Sequence, residues 1–524
     1  MLVFEWIVVL LLVAVLLAGA ARRVGAPYPA FLALGGAALA FVPGAPRFVL
    51  DPGLALALFV APVLLDAAYD TSLRDLKDNW APVASLVLVA VGLTTAAVAI
   101  VAHALVPGLP WAAAVALGAV VAPPDAAAAT AVLRQVHLPR RLLTIVEGES
   151  LLNDASALLI YRLAVGAVAA GAFSPGKVAP TFLLGVAGSI IAGPLLARLY
   201  MRLVRRLSDD APSQIILQFV GTFGVWILAE RIGLSGVLTI VCYAIAIAQE
   251  APDRTPARLR VPSYAVWETA VFVLNVLAFF LIGLQIRPIM EALDPAQQAR
   301  YLVVAGAVLA TVIAVRIAWV MAHNTVARLK IRLYGFHPPR PMSPPTVRGG
   351  LIVSWSGMRG IVTLAAALAL PLGGAGAAGF PFRDLIVLTA FIVVLGTLVI
   401  QGLTLRPVLG WLDLRDDDPV GREVARARDA AFRAALEALD GDTSTEAKWL
   451  RKEYTAMLRQ AGDAADPRAP IALPADDLRR RAIAAARAAV SDLRRRGEIG
   501  DDAFHRLEEQ LDWSELSAGP RSES

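Results

Sequence analysis

The chain has one cysteine, Cys242, and five histidines in 524 residues. A single cysteine excludes an intramolecular disulfide and a cysteine-ligated zinc site. Cys242 lies in an apolar run and reads as a small core residue. The histidines (His103, His137, His323, His337 and His505) are scattered without ligand spacing, so a metal-enzyme reading has no support. Charge is also scarce, at 17% of residues where soluble domains carry about 25%. The net charge of +5 is too small to suggest a nucleic-acid surface. No positive region precedes the first apolar run, as a signal peptide requires. Arg22 and Arg23 follow it instead. The run therefore reads as a first membrane helix with its N-terminus outside.

What the chain has in excess is apolar sequence, 57% of residues, with a mean hydropathy of +0.64. The excess sits in runs long enough to span a bilayer. About thirteen segments qualify: residues 3–21, 28–43, 53–68, 82–106, 110–133, 143–170, 178–201, 213–230, 234–249, 263–287, 300–327, 349–371 and 384–405. With the N-terminus outside, the loops assigned to the cytoplasm hold Arg22/Arg23, Arg74/Lys77, Arg134/Arg140/Arg141, Arg202/Arg205/Arg206, Arg254/Arg258/Arg260 and the basic run from Arg328 to Arg348. The opposite loops hold only Arg47, Lys177, Arg231, Arg287/Arg300 and Arg383. This is the positive-inside asymmetry, and it places the C-terminal tail in the cytoplasm. From about Arg406 the composition turns to Ala, Arg, Asp and Glu. Apolar residues at helical spacing there predict a small bundle of four helices, the third running from about Asp476 to Arg496 with Asp476 or Asp477 as its N-cap.

Charges inside the apolar segments mark function, because an ionised carboxylate at mid-membrane costs at least about 2.5–3.5 kcal/mol. The richest stretch is EGESLLNDASALLIY, Glu147 to Tyr161. Ser150 and Asn153, and Glu149 and Asn153, fall on one helical face, with Asp154 about 100° round. Such oxygens suit a dehydrated monovalent cation, and Asp154 is the candidate carboxylate for ion exchange. Glu147 is expected near the helix end, facing water. The fifth segment is interrupted by Pro123 and Pro124 just before Asp125, which can cap the freed amides. Broken helices beside a carboxylate are how many transporters build midplane sites. The twelfth segment carries Arg359 between Gly357 and Gly360; a buried arginine needs a carboxylate, and Glu149 or Asp125 is the expected partner. The breaks fall in the second helix of two three-helix runs, segments 4–6 and 11–13, as an inverted repeat requires. Asp66 is expected at a cytoplasmic mouth or as a loop cap, and Arg316 to pair with a carboxylate or to snorkel. Glu268 has no assignment.

Several strings together resemble the sodium/proton exchangers of the monovalent cation:proton antiporter-1 family, bacterial type. They are LLDAAY at 64–69, APPDA at 122–126, GESLLNDA at 148–155, FFLIGLQI at 279–286, SGMRGIVTLAAALALP at 356–371 and LVIQGLTL at 398–405. The resemblance covers residues 3–410 or so. It implies an all-α polytopic membrane protein with two broken crossing helices, the antiporter fold. It also implies core helices at about 82–170 and 300–405, dimerisation helices at about 3–68 and 213–287, and a linker at about 178–201. The membrane domain would span 1–408 and a helical cytoplasmic tail 409–524. Asp154 looks like the family's ion- and proton-binding aspartate, and Asn153 like the residue that marks electroneutral members. Ser150 matches a hydroxyl ligand to the transported Na+, and Asp66 an acidic position near the ion path. Glu149 and Arg359 resemble a buried pair joining the sixth and twelfth helices, and Asp125 a charge at the crossing. Where many members have Thr-Asp-Pro, this chain has Pro124, Asp125 and Ala126, which removes a threonine hydroxyl.

The implied activity is exchange of Na+, or alternatively K+ or Li+, for H+ in the cell membrane, for pH and sodium homeostasis, by a homodimer without cofactor. Rival readings are a cation channel, a non-transporting sensor, and an intramembrane aspartyl protease built on Tyr69-Asp70. The protease lacks its GxGD partner motif.

Overall fold

A computed structural model describes residues 2–24, 27–42, 51–125, 129, 133, 138–170, 175–207, 210–338, 343–372, 379–412, 419–463, 473, 476–496, 498 and 501–517. Its described residues form helices and no strand. They fall into two compact units, Met1–Asp416 and Asp417–Ser524.

The first unit begins with α1 (Leu2–Val24) and α2 (Tyr28–Ala40), followed by α3 (Pro52–Asp70) and α4 (Trp80–Leu105). Then come α5 (Trp111–Val121), α6 (Arg140–Ala170), α7 (Pro175–Leu207) and α8 (Ala211–Arg231). The remainder is α9 (Gly236–Arg254), α10 (Ala257–Leu284), α11 (Pro295–Tyr334), α12 (Val347–Trp355), α13 (Ile361–Leu368) and α14 (Arg383–Leu412). Eight of the described helices are long and apolar enough to cross a membrane. The expected twelfth segment is two short helices, α12 and α13, separated by residues 356–360. The expected fifth ends its described helix at Val121, immediately before Ala122 and the two prolines. Each of the other expected segments has its own helix.

The helices pack into a continuous apolar core, with α14 its most buried long span. One set of neighbours is α4, α5, α6, α11, α12, α13 and α14; another joins α2 to α10, α7 to α9, and α3 to α9. The tightest crossing is α2 on α10. A methyl group at Gly36 would lie 2.2 Å from the Phe280 carbonyl oxygen, and one at Gly283 would lie 2.1 Å from that of Ala33. Small residues of this kind let membrane helices approach closely. Wide π turns interrupt α3 at Leu56–Val60 and α4 at Ser85–Ala90. The first ends next to Pro62, whose ring cannot fit a regular turn.

The second unit is four helices, α15 (Pro419–Ala438), α16 (Thr445–Asp463), α17 (Asp476–Arg495) and α18 (Asp501–Ser517). They pair as hairpins, α15 with α16 and α17 with α18. Phe432 and Tyr454 meet between the first two, and Arg479 joins α17 to Glu453 of α16 at 3.1 Å. On the surface of α15, the Arg433 guanidinium holds the Asp429 carboxyl below its usual range. Asp476 is the first residue of α17, and its carboxylate accepts from the Leu473 amide upstream.

Replacing Gly36 by Val should force α2 and α10 apart and cost about 1–3 kcal/mol, read as a lower unfolding midpoint of purified protein in detergent. Gly92→Ala, whose added methyl would meet no other part of the protein within 4 Å, should leave that midpoint unchanged or raise it slightly.

Candidate functional site

An interrupted helix exposes carbonyls at one cut end and amides at the other, and in hydrocarbon both must find partners within the protein. Arginines supply most of them here. The α5 break leaves the Val121 and Ala122 carbonyls open. Arg359 donates to both, from Nε at 3.1 Å and Nη2 at 3.1 Å. The α12 break leaves those of Val353 and Ser354, and Arg316 of α11 donates to them at 3.0 and 3.2 Å. Arg383 does the same for Leu368 and Leu370 at the end of α13, both at 2.9 Å. A cation is doubly suited there, since the C-terminal end of a helix carries partial negative charge.

The two breaks are also stitched to each other. The Asp125 amide donates to the Met358 carbonyl at 2.7 Å. The Arg359 amide donates to Thr397 Oγ1 of α14 at 3.0 Å, and its guanidinium to the Gly357 carbonyl. The Asp125 carboxylate lies against the N-terminus of α13. A methyl on Gly360 would come within 1.5 Å of its Oδ2, so only glycine fits. Gly357 is confined in the same way, since its methyl would lie 2.3 Å from Arg316 Cδ.

The expected pairing of Glu149 with Arg359 is not what forms. Glu149 makes a two-pronged ion pair with Arg316, at 2.6 Å to Nη1 and 2.9 Å to Nη2. Glu149 is 1% exposed and Arg316 3%. The forked guanidinium of Arg316 can meet a carboxylate edge-on while still reaching two carbonyls. Arg359 is occupied by carbonyls around the breaks. So Arg316 takes a carboxylate, one of its two expected outcomes, and Arg359 does not take Glu149.

The face shared by Ser150, Glu149 and Asn153 also needs correction. Residues four apart lie almost in line on a helix, so α6 sorts its polar groups into two rows. Glu149 and Asn153 are buried away from the cavity, with Asn153 Nδ2 donating to the Pro124 carbonyl at 2.7 Å. Asn153 Oδ1 is buried and has no hydrogen-bond partner in the structure. Ser150 and Asp154 face a cavity of about 520 Å³. Asp154 is only 7% exposed.

That cavity is walled by α3, α6, α10 and α13 and the α5 break. Its lining includes Asp66 and Asp125. Glu147, expected to face water at the helix end, is half-buried in its lining. The structure adds residues that the sequence left unassigned: Asp70, Arg140, Glu268, Asn275 and Thr363. Glu268 stood out in the sequence as a lone membrane carboxylate; the others carried no such signal. Ala126 lies outside the described residues.

A family model described as "Sodium/hydrogen exchanger, transmembrane" matches residues 8–411. The chain belongs to the sodium/hydrogen exchanger family. An uncharacterised Na+/H+ exchanger of Mycobacterium tuberculosis is 33% identical, over 98% of this chain and 96% of its own length. A sodium, potassium, lithium and rubidium/H+ antiporter of Bacillus pumilus is 30% identical, over 81% of this chain and 64% of its own. Among solved structures, the sodium proton antiporter MjNhaP1 of Methanocaldococcus jannaschii superposes with a TM-score of 0.62 at 18% identity, covering 79% of this chain and 98% of that one. The likeness establishes the antiporter fold. The protein is a membrane-embedded cation/proton exchanger, a secondary transporter rather than an enzyme.

Removing one member of a buried ion pair costs about 3–5 kcal/mol. Glu149→Leu and Arg316→Met should each lower stability by that order in denaturant unfolding of the purified protein. The double variant should be less unstable than the two losses added, with a coupling of about 1–3 kcal/mol. It should not regain wild-type stability, because the Val353 and Ser354 carbonyls lose their donor.

Proposed function

We propose that Asp154 is the carboxylate that carries Na+ and H+ in turn across the cell membrane. The observation that carries this reading is its position: a nearly buried carboxylate, one helical turn from the Ser150 hydroxyl, opening onto a cavity rimmed by other acids. A buried carboxylate is costly as a bare anion. Binding a proton or a sodium ion removes that cost, and the two compete for the same oxygens. Only the loaded forms then cross the barrier between inward- and outward-facing states, which makes exchange obligatory without ATP.

Ser150 supplies a hydroxyl oxygen to the transported Na+ beside Asp154. Asn153 acts from behind, holding the Pro124 carbonyl at the edge of the site with its own Oδ1 still available as an acceptor. Asp66, with Asp70, Glu147 and Glu268, draws cations into the mouth. Glu149, Arg316, Arg359 and Asp125 form the fixed framework. In the absence of the family's usual threonine at the break, Thr363 on α13 is placed to contribute a hydroxyl.

The helices around α4–α6 and α11–α14 would move as a core against α1–α3 and α8–α10, with α7 as linker, in a homodimer. Thirteen spans, an external N-terminus and a cytoplasmic tail complete the arrangement, which serves pH and sodium homeostasis.

In everted vesicles, Asp154→Asn should abolish the sodium-dependent collapse of an imposed pH gradient while the protein remains folded and inserted. Full retention of exchange would overturn the assignment. Parallel additions of NaCl, KCl and LiCl to the wild type should give the largest response to sodium.

A further inference from the structure

One polar residue in the ion cavity has no role in the exchange proposed above. Asn275 lies on α10 within the stretch VFVLNVLAFF, apolar on both sides of it. Glu268, Val271, Phe272, Asn275, Ala278 and Phe279 recur at helical spacing and turn one face of α10 to the cavity. Along α6 the lining runs from Arg140 through Glu147 and Ser150 to Asp154. On each helix a charged residue comes first, and the last polar group in the lining is Asp154 on α6 and Asn275 on α10. α10 also packs on α13, whose first turn lines the same cavity from Ile361 to Thr363. An asparagine inside a membrane helix commonly bonds across to a neighbouring helix. Asn275 makes no hydrogen bond with any described residue. It is part-exposed, and its amide atoms remain accessible rather than sealed in the packing. The amide is therefore open to what the cavity carries.

Its chemistry separates the two ions. An amide oxygen is a good ligand for a hard cation, yet an amide takes up no proton in the physiological range. Among the described lining residues Asn275 is the one carboxamide. The other side-chain oxygens belong to carboxylates, which bind either ion, and to hydroxyls such as those of Ser150 and Thr363. We infer that Asn275 is a cation-recognition residue: its Oδ1 meets the sodium ion at Asp154, directly or through one water, and raises affinity for Na+ without raising affinity for H+. Asn275 thereby sets the sodium concentration at which the two ions compete evenly. The inference rests on the carrier role proposed above for Asp154.

Initial exchange rates in everted vesicles holding the full-length protein, taken against sodium concentration at several pH values, test it. Asn275→Leu should raise KM for Na+ about fivefold or more at every pH, with the maximal rate held within about twofold. The rise of KM toward acid should begin at the same pH as in the wild type, because proton binding is untouched. Asn275→Gln, which keeps the amide, should raise KM less than Asn275→Leu. The leucine removes no hydrogen bond to a described residue, so the unfolding midpoint in detergent should be unchanged or higher. An unchanged KM would overturn the inference. So would an acid-side rise displaced along the pH axis, which would make Nδ2 a donor to the Asp154 carboxylate instead. A fall in the unfolding midpoint together with the maximal rate would make Asn275 a structural residue and overturn it as well. Asp154→Asn separates the two readings. Exchange surviving in that variant overturns the carrier assignment, whereas an unchanged KM in Asn275→Leu beside an inactive Asp154→Asn overturns only the role of Asn275.

Discussion

The membrane unit depends on how it satisfies the backbone that two broken helices leave open. A helix normally hides its amides and carbonyls from lipid, and a break gives up that protection where water cannot replace it. Here the open carbonyls of α5 and α12 are met by Arg359 and Arg316, and those at the end of α13 by Arg383. On the donor side, the Asp125 amide is taken by Met358 and the Arg359 amide by Thr397. The breaks are therefore stiff crossings whose backbone is held by side chains from α6, α11 and α14.

Two consequences reach the local sequence. Guanidinium groups need room, and the space beside them is made by Gly357, while Gly360 makes the space for the Asp125 carboxylate. The glycines between α12 and α13 are thus explained by what passes next to them. A guanidinium moved into an apolar interior also requires negative charge nearby. Glu149 provides it for Arg316, which ties α6 to α11 as well as to the cut end of α12.

Much of this was legible in the sequence because the membrane imposes strong signals. Apolar runs, the side bias of Lys and Arg, the Pro123–Pro124 interruption and the clustered acids of α6 are all local features. The fold class, the two breaks and the candidacy of Asp154 rest on them. The Glu149–Arg316 pair was not legible, since its members are 167 residues apart. The sequence pointed to Arg359 as the cation for Glu149 and gave Arg316 no named partner. Choosing between them required knowing that Arg359 is absorbed by the Val121 and Ala122 carbonyls. The division of α6 was missed for a different reason. Periodicity placed Ser150 with Asn153, three apart, while packing used the four-residue spacing and sent Ser150 with Asp154 and Glu149 with Asn153. Glu268 stood out as a membrane carboxylate without a role, and Asn275 and Thr363 had no pattern of their own; all three belong to the cavity because α10 and α13 fold against it.

The division of α6 into two rows bears on how the transporter could work. The row facing the breaks, Glu149 and Asn153, is tied to structure and has to stay constant. On the role proposed above for Asp154, the row facing the cavity, Ser150 and Asp154, is the one that changes its occupant. If Asp154 were itself part of the framework, each gain or loss of a proton would disturb the crossing. Formal charge supports the same separation. The guanidinium groups of Arg316 and Arg359 stand among three carboxylates, those of Glu149, Asp125 and Asp154. On the role proposed above for Asp154, one further positive charge there offsets its own, and a proton or a sodium ion can each supply it. The two loaded states are then alike in net charge, and the bare state is the one burial disfavours.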